Sequence, residues 1–162
     1  MKAQIIAEKQ QIAAIVRQMT EEVFKTMFSN PLMSDEKSKF SEFKDVVISQ
    51  VKLNHGPTDI NFYFRFDMQL LLQIGIKMFS QDYLRDNSVY EELACETANI
   101  VCAKVKAYLN EEGYHTEMSF PVISKGEDMP PPKDADFVNV YFFYLDQEAR
   151  QKIGVAVGSS VV

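Results

Sequence analysis

The sequence contains no cluster of basic residues, no glycine-rich phosphate loop and no apolar run of the ~18 residues that a membrane span requires. Its 17 Lys and Arg are outnumbered by 23 Asp and Glu, so neither nucleic acid nor an anionic membrane is expected as a partner. Walker and Rossmann signatures are absent, which leaves a nucleotide-dependent enzyme without support. Residues 1–11 lack the apolar core of a signal peptide, so a cytoplasmic location is expected.

Cysteine and histidine are also scarce. Cys95 and Cys102 lie seven residues apart on one predicted helix, where a rise of about 1.5 Å per residue separates their Cα atoms by roughly 10 Å. That distance is too long for a disulfide bond, and no third ligand stands at a zinc-binding spacing. Both cysteines are expected near the flank of the exposed face of that helix, where packing or an interface contact is favoured over a reactive thiol. His55 and His115 have no serine or cysteine nucleophile motif to serve. The sequence therefore predicts neither a metal site nor a covalent nucleophile.

The composition is that of an ordinary globular domain, with 46% hydrophobic and 25% charged residues. A chain of 162 residues is long enough to bury a core without disulfides or metals. No internal repeat is present. We therefore expect a single domain spanning residues 1–162.

Three long helices are predicted, covering about residues 3–28, 67–79 and 88–112. Apolar residues of the first recur at steps of three, four and seven, namely Ile5, Ile12, Val16, Met19, Val23 and Met27. Asp67 is suited to cap the second helix. The third has cap candidates at Asn87 and Ser88, and Gly113 stands where a helix of this length would stop.

The strand predictions rest on alternation and on β-branched composition. Strands are predicted at residues 46–53, 60–66, 114–123, 137–145 and 153–157, with a turn at 54–57 and loops at 30–44 and 125–136. Two of these segments alternate between their two faces. In 60–66, one face holds Phe62, Phe64 and Phe66 and the other holds Asn61, Tyr63 and Arg65. In 114–123, one face holds Tyr114, Thr116, Met118 and Phe120 and the other holds His115, Glu117 and Ser119. Residues 137–145 are apolar on both faces, as in a central strand or one within an interface. Short connections favour an α+β fold, a mainly antiparallel sheet with the long helices packed on one face.

Within the third helix, Glu96 and Asn99 lie one turn apart on the predicted outer face. At 100° per residue, that face also holds Glu92, Ala103 and Lys106, whereas the apolar residues gather on the other side. An exposed acid and amide can engage another molecule. From their spacing alone, however, an ordinary solvated helix surface is the favoured interpretation.

The motif Glu96-x-x-Asn99, in a helix that ends with Leu109 and Gly113, resembles the CheC/CheX/FliY family of chemotaxis phosphatases. Other segments are similar as well: 23–28, 64–67 with the apolar residues after them, and 119–123. The CheX members are the most similar, because CheC-like members carry two such motifs and residues 20–24 of the first helix contain none. The resemblance implies a CheC/CheX-like α+β fold and, as in CheX relatives, a homodimer formed through the sheet.

The resemblance also implies a function, hydrolysis of the aspartyl phosphate on a CheY-type response regulator. Asn99 would hold the attacking water, and Glu96 would pair with the regulator's lysine. Glu92, Ala103 and Lys106 would contact the partner. The protein would need no cofactor of its own, because the regulator holds the Mg²⁺.

One position departs from the family pattern, since Ala103 stands where the family has glycine on the exposed face. Its methyl group is expected to affect affinity more than turnover. The departure keeps a second hypothesis open, a non-catalytic CheX-like adaptor that binds a response regulator or switch component.

Overall fold

A long hairpin forms the centre of the structure. The computed structural model describes residues 9–27, 33–34, 46–56, 58–78, 88–125, 138–144 and 154–161. The hairpin joins β2 (Val46–His55) to β3 (Thr58–Asp67), which pair antiparallel over their whole lengths. Gly56 turns the chain between them with a φ of 58°, a left-handed conformation that glycine adopts without steric cost. Both predicted strands are therefore confirmed and are longer than predicted. The predicted turn at 54–57 is shorter, because Asn54 and His55 belong to β2 and pair with Asp59 and Thr58.

The other described strands extend the sheet on both sides of this hairpin. They are β1 (Met33–Ser34), β4 (Glu117–Met118), β5 (Val122–Lys125), β6 (Val138–Tyr144) and β7 (Gly154–Val161). The order is β1-β6-β7-β3-β2-β4, with β5 also on β2, and every pairing is antiparallel. This confirms the predicted α+β fold with an antiparallel sheet.

Strand β1 was not predicted, because its two residues fall in the segment assigned to a polar loop. Met33 and Ser34 pair with Tyr144 and Phe143. A ladder needs only backbone donors and acceptors, so a two-residue strand can form without any alternating pattern.

The single predicted strand over residues 114–123 is instead two short strands separated by a bulge. Met118 pairs with Leu53 and Val122 pairs with Gln50. The three residues between these pairs on the edge segment, 119–121, therefore face only two residues of β2, Val51 and Lys52. Ser119 fills the gap, donating its N–H to the Lys52 carbonyl at 2.9 Å and accepting the Lys52 N–H on its Oγ at 3.0 Å.

The bulge ends the predicted alternation. Thr116 is buried and Met118 half-buried as expected, but Phe120 is 90% exposed instead of facing the core. Pro121, which has no N–H to donate to a ladder, follows directly. The prediction that Phe120 shares a face with Thr116 is therefore wrong.

The helices are α1 (Lys9–Thr26), α2 (Met68–Met78) and α3 (Ser88–Glu111). All three predicted helices are confirmed within the described residues; residues 3–8, 28, 79 and 87 lie outside them. Asp67 directly precedes α2, in the position predicted for a cap. Met27, one of the recurring apolar residues of the first predicted helix, lies beyond the end of α1 and is 42% exposed. No helix in the described part of the chain is long and apolar enough to span a membrane.

All three helices contribute to one core on one face of the sheet, as predicted. The phenylalanines of β3 face this core with no exposed area, together with residues of α1, α2 and α3: Phe62, Phe64, Phe66, Ile12, Val16, Phe24, Leu70, Ile74, Ala98, Val101 and Val105. The opposite face of β3 is also largely covered, because Asn61 and Arg65 are 7% and 4% exposed. Of the loop predicted at 125–136, Lys125 is instead the last residue of β5, where it pairs with Val47, and residues 126–136 lie outside the described residues.

The end of α3 is tightly fixed. Gly113 has a φ of 95°, and the N–H groups of Gly113 and Tyr114 donate to the carbonyls of Asn110 and Leu109. This pair of bonds is a Schellman motif, which confirms Gly113 as the stop residue. Asn110 Oδ1 then accepts both the N–H and the hydroxyl of Thr116 at 2.9 Å, and so connects the helix end to β4.

Phe62 is fully buried whereas Phe120 is 90% exposed, which predicts a large difference in their contributions to stability. Phe62→Ala removes a ring from the core and should lower the free energy of unfolding by about 3–5 kcal/mol. Phe120→Ala should change it by less than about 0.5 kcal/mol, because the ring is already in water. Urea denaturation of the two variants and the wild type measures both values. A loss at Phe120 as large as that at Phe62 would contradict the bulge.

Candidate functional site

The outer face of α3 carries the predicted site residues. Glu92, Glu96 and Ala103 are exposed, whereas Asn99 and Lys106 are half-buried. The structure thus brings all five to one side of one helix, as the periodicity predicted. Glu96 and Asn99 are three residues apart, which places their Cβ atoms about 5–6 Å from each other.

The helix beneath this face is firmly held. Ala94 and Ala98 have no exposed area, and α3 lies across β2 and β3 at these small residues. Thr97 is 1% exposed and donates its hydroxyl to the Leu93 carbonyl at 2.9 Å, which satisfies its polar group inside the core. A side chain on the outer face therefore stands on a backbone that cannot move without disturbing the core.

Within the part of the chain that the structure describes, the Glu96 and Asn99 side chains have no hydrogen-bond or ion-pair partner. An unpaired carboxylate can bind a cation or an N–H donor of another molecule. An unpaired amide offers a donor and an acceptor together, so it can hold a water molecule in a fixed orientation. The pair is therefore suited to positioning a partner group and a water molecule.

Charge is distributed unevenly along α3. On the outer face, Glu92 and Glu96 lie in the first half of the helix and Lys106 in the second half, whereas the exposed Glu111 at the end of the helix lies off this face. Carboxylates near the N-terminus are also favoured by the helix dipole. A molecule that covers this face therefore meets negative potential at one end and positive potential at the other.

The two cysteines do not contribute to the chemistry of this surface. Cys102 has no exposed area and belongs to the core, so its predicted place near the flank of the exposed face is wrong. Burial raises the pKa of Cys95; a weak interaction with the Ser49 hydroxyl lowers it, and Glu91 and Glu92 raise it further. Because the net pKa is raised, Cys95 is a neutral thiol at pH 7. Neither cysteine supplies a thiolate nucleophile to the site.

Metal-binding residues are not assembled either. No group of three or more His, Cys, Asp or Glu side chains lies close enough to hold an ion in the described ranges. His55 instead contacts the segment after α3, with its Nδ1 3.0 Å from the His115 carbonyl oxygen and its ring edge-on to Tyr114.

Sequence reasoning missed two features near the site. The placement of Cys95 near Ser49 depends on how α3 crosses β2, which no pattern within either element specifies. A groove between α1 and α3 was missed for the same reason, because its walls come from segments about 90 residues apart. Neither feature leaves a local signal in the sequence.

Comparison with known proteins agrees with the fold and identifies the family. The family model described as "Chemotaxis phosphatase CheX" matches residues 47–143, more than half of the chain. No curated protein sequence matches.

Solved structures give the same result for the fold. Chemotaxis protein CheX from Vibrio vulnificus has a TM-score of 0.72 at 19% identity, with 93% of this chain and 96% of that chain covered. A CheC-like superfamily protein from Shewanella gives 0.70 at 18% identity, with 93% and 97% covered. A CheX-CheY-BeF3-Mg+2 complex from Borrelia burgdorferi gives 0.67 at 17% identity, with 92% and 96% covered.

At these identities the solved structures support the fold alone, whereas the family model supports membership directly. The model covers β2, β3, α2 and all of α3, and so includes both Glu96 and Asn99. The chain belongs to the CheX family of chemotaxis phosphatases.

Proposed function

We propose that this protein accelerates hydrolysis of the aspartyl phosphate on a CheY-type response regulator, as a single cytoplasmic domain spanning residues 1–162. The observation that carries the proposal is the pair Glu96 and Asn99, unpartnered and outward on a rigidly packed helix. Family membership and a relative solved as a CheX-CheY complex support the choice of partner.

Asn99 is assigned to the attacking water. Phosphoryl transfer needs the water in line with the phosphorus–oxygen bond that breaks, and correct positioning alone can accelerate such a step by orders of magnitude. A carboxamide holds water by one donor and one acceptor without attacking phosphorus itself. The half-buried position of Asn99 restricts the amide to few rotamers, which favours a fixed orientation of the water.

Glu96 is assigned to an active-site lysine of the regulator. The carboxylate is exposed and one turn from Asn99, so an ion pair there would fix the helix over the phosphoryl group. Mg²⁺ would belong to the regulator, and the relative's complex names Mg²⁺ together with CheY. This protein would then contribute no cofactor of its own.

Glu92, Ala103 and Lys106 are assigned to the surrounding contact with the partner. Glu92 and Lys106 lie at opposite ends of the charged face, so together they would favour one orientation of the regulator along α3. Ala103 lies one turn beyond Asn99 and is exposed, where its small side chain allows a close approach.

The second candidate function is a non-catalytic adaptor that binds a response regulator or a switch component. The methyl group of Ala103, in place of the glycine of the family pattern, is the observation that favours it. If that methyl group holds the partner slightly away from Asn99, the complex would form without positioning the water.

A homodimer through the sheet is also proposed. Strand β6 pairs with β7 along its whole length but with β1 only at Phe143 and Tyr144. Among the described strands, the rest of its outer edge has no partner, and such an edge can pair with its copy across a two-fold axis.

Asn99→Ala tests the role of the amide in hydrolysis. The change should abolish the acceleration of regulator dephosphorylation and leave the dissociation constant of the complex within about twofold, because the interaction matters mainly in the transition state. Loss of radiolabelled phosphate from the regulator measures turnover, and titration calorimetry measures binding. Full activity of Asn99→Ala would contradict the water-positioning role.

Glu96→Ala tests the ion pair with the partner. Both turnover and binding should weaken, with the dissociation constant rising about tenfold. The difference from the wild type should shrink at 1 M salt, because screening weakens the ion pair in the wild type. Glu117→Ala, an exposed carboxylate on β4, is the matched control and should behave as wild type. Equal losses of turnover and binding for both variants would contradict a specific role for Glu96.

The dimer is tested by mass. Light scattering at micromolar concentration should give about twice the monomer mass of 18.6 kDa. Val140→Pro would remove a backbone N–H from β6 and should shift the mass toward the monomer. A wild-type mass of 18.6 kDa would overturn the homodimer.

A further inference from the structure

A groove of about 380 Å³ runs between α1 and α3. Its apolar surface comes from Ile15 and Met19 of α1 and Tyr108 of α3, all half-buried. The remaining lining residues are mostly polar or charged: Gln11, Gln18, Glu22, Lys104, Ala107 and Glu111. This combination of an apolar floor and a polar rim is typical of a protein-binding groove.

The groove is continuous with the Glu96/Asn99 face. Steps of four residues along α3 lead from Asn99 through Ala103 and Ala107 to Glu111, a row that drifts by about 40° per step. The row therefore begins on the site face and ends in the groove. Ala103 and Ala107 are both exposed, so the row that joins the site to the groove consists of small side chains.

The distance between site and groove decides what can occupy it. Ala107 is eight residues from Asn99, or about 12 Å along the helix axis. A specific protein interface buries about 800 Å² on each partner, which corresponds to a disc of about 16 Å radius. A regulator centred on Asn99 would therefore cover the groove as well as the site.

We propose that the groove between α1 and α3 is a second contact site for the same phosphorylated regulator molecule that covers Asn99. An apolar side chain of the regulator would fill the groove, and polar residues beside that side chain would contact the rim. This inference rests on the proposed function for the identity of the partner. Lys104 on one wall and Glu22 and Glu111 nearby can each pair with an opposite charge at the rim of that contact.

The groove and the Asn99 site have separate roles in this arrangement. A side chain held in the groove lies about 12 Å along the helix axis from Asn99, so it makes the same contacts before and during the reaction. Such uniform binding lowers KM without raising kcat. The groove accordingly determines which regulator binds, whereas Asn99 determines how fast its phosphate is lost.

Ala107→Gln tests the groove by filling it. Both residues are strong helix formers and position 107 is exposed, so the fold should be retained. With a CheY-type regulator of the same organism, phosphorylated by acetyl phosphate, KM should rise about tenfold and kcat should fall less than twofold. Ala14→Gln is the matched control, an exposed helical alanine of α1 outside the groove lining, and should match the wild type.

The outcomes distinguish this inference from the proposed function. An unchanged KM for Ala107→Gln would overturn the groove while leaving the phosphatase role intact. If the wild type binds the regulator without speeding hydrolysis, and Ala107→Gln weakens that binding, the phosphatase role fails and the groove stands. Light scattering of Ala107→Gln provides a second measurement. A loss of self-association with unchanged regulator binding would assign the groove to a second copy and overturn the inference.

Discussion

The close packing of α3 on the central hairpin is the constraint on which the rest of the structure depends. Ala94 and Ala98 are fully buried, and small side chains at this crossing let the helix lie directly on β2. The Schellman motif at Gly113 and the bonds from Asn110 to Thr116 fix the far end. Because both the crossing and the end are fixed, the rotation of α3 is fixed too. That rotation is what places Glu96 and Asn99 outward.

Periodicity predicted the parts of the fold that depend on local pattern. The alternation at 60–66 and the helical steps in α1 and α3 identified the core, since each follows from which side of an element is buried. The bulge at Ser119 could not be predicted, because it arises from a one-residue mismatch with β2, a partner about 67 positions away. Strand β1 was missed because two residues cannot show a period. The deep burial of Cys102 was also missed, since its helical angle places it at the boundary of the two faces.

The site was predicted by two kinds of reasoning, and each has a different basis. The helical angle alone placed Glu92, Glu96, Asn99, Ala103 and Lys106 on one face, which the structure confirms. Their roles came from the family resemblance and remain proposals. The groove beside them could be identified only from the tertiary structure, because two helices form its walls. Together these features describe a protein that would act by rigid presentation of an amide and a carboxylate, with chemistry and partner choice carried by neighbouring parts of one helix.

The most direct test of this account measures the decay of phosphate on a CheY-type regulator with and without the wild-type protein. The regulator is labelled, Mg²⁺ is kept in excess, and the protein is added at substoichiometric concentration. The account predicts that decay accelerates at least about tenfold and that each protein molecule turns over many regulators, because positioning a water leaves the protein unchanged. An unaltered decay rate despite measurable binding would contradict it and favour the adaptor.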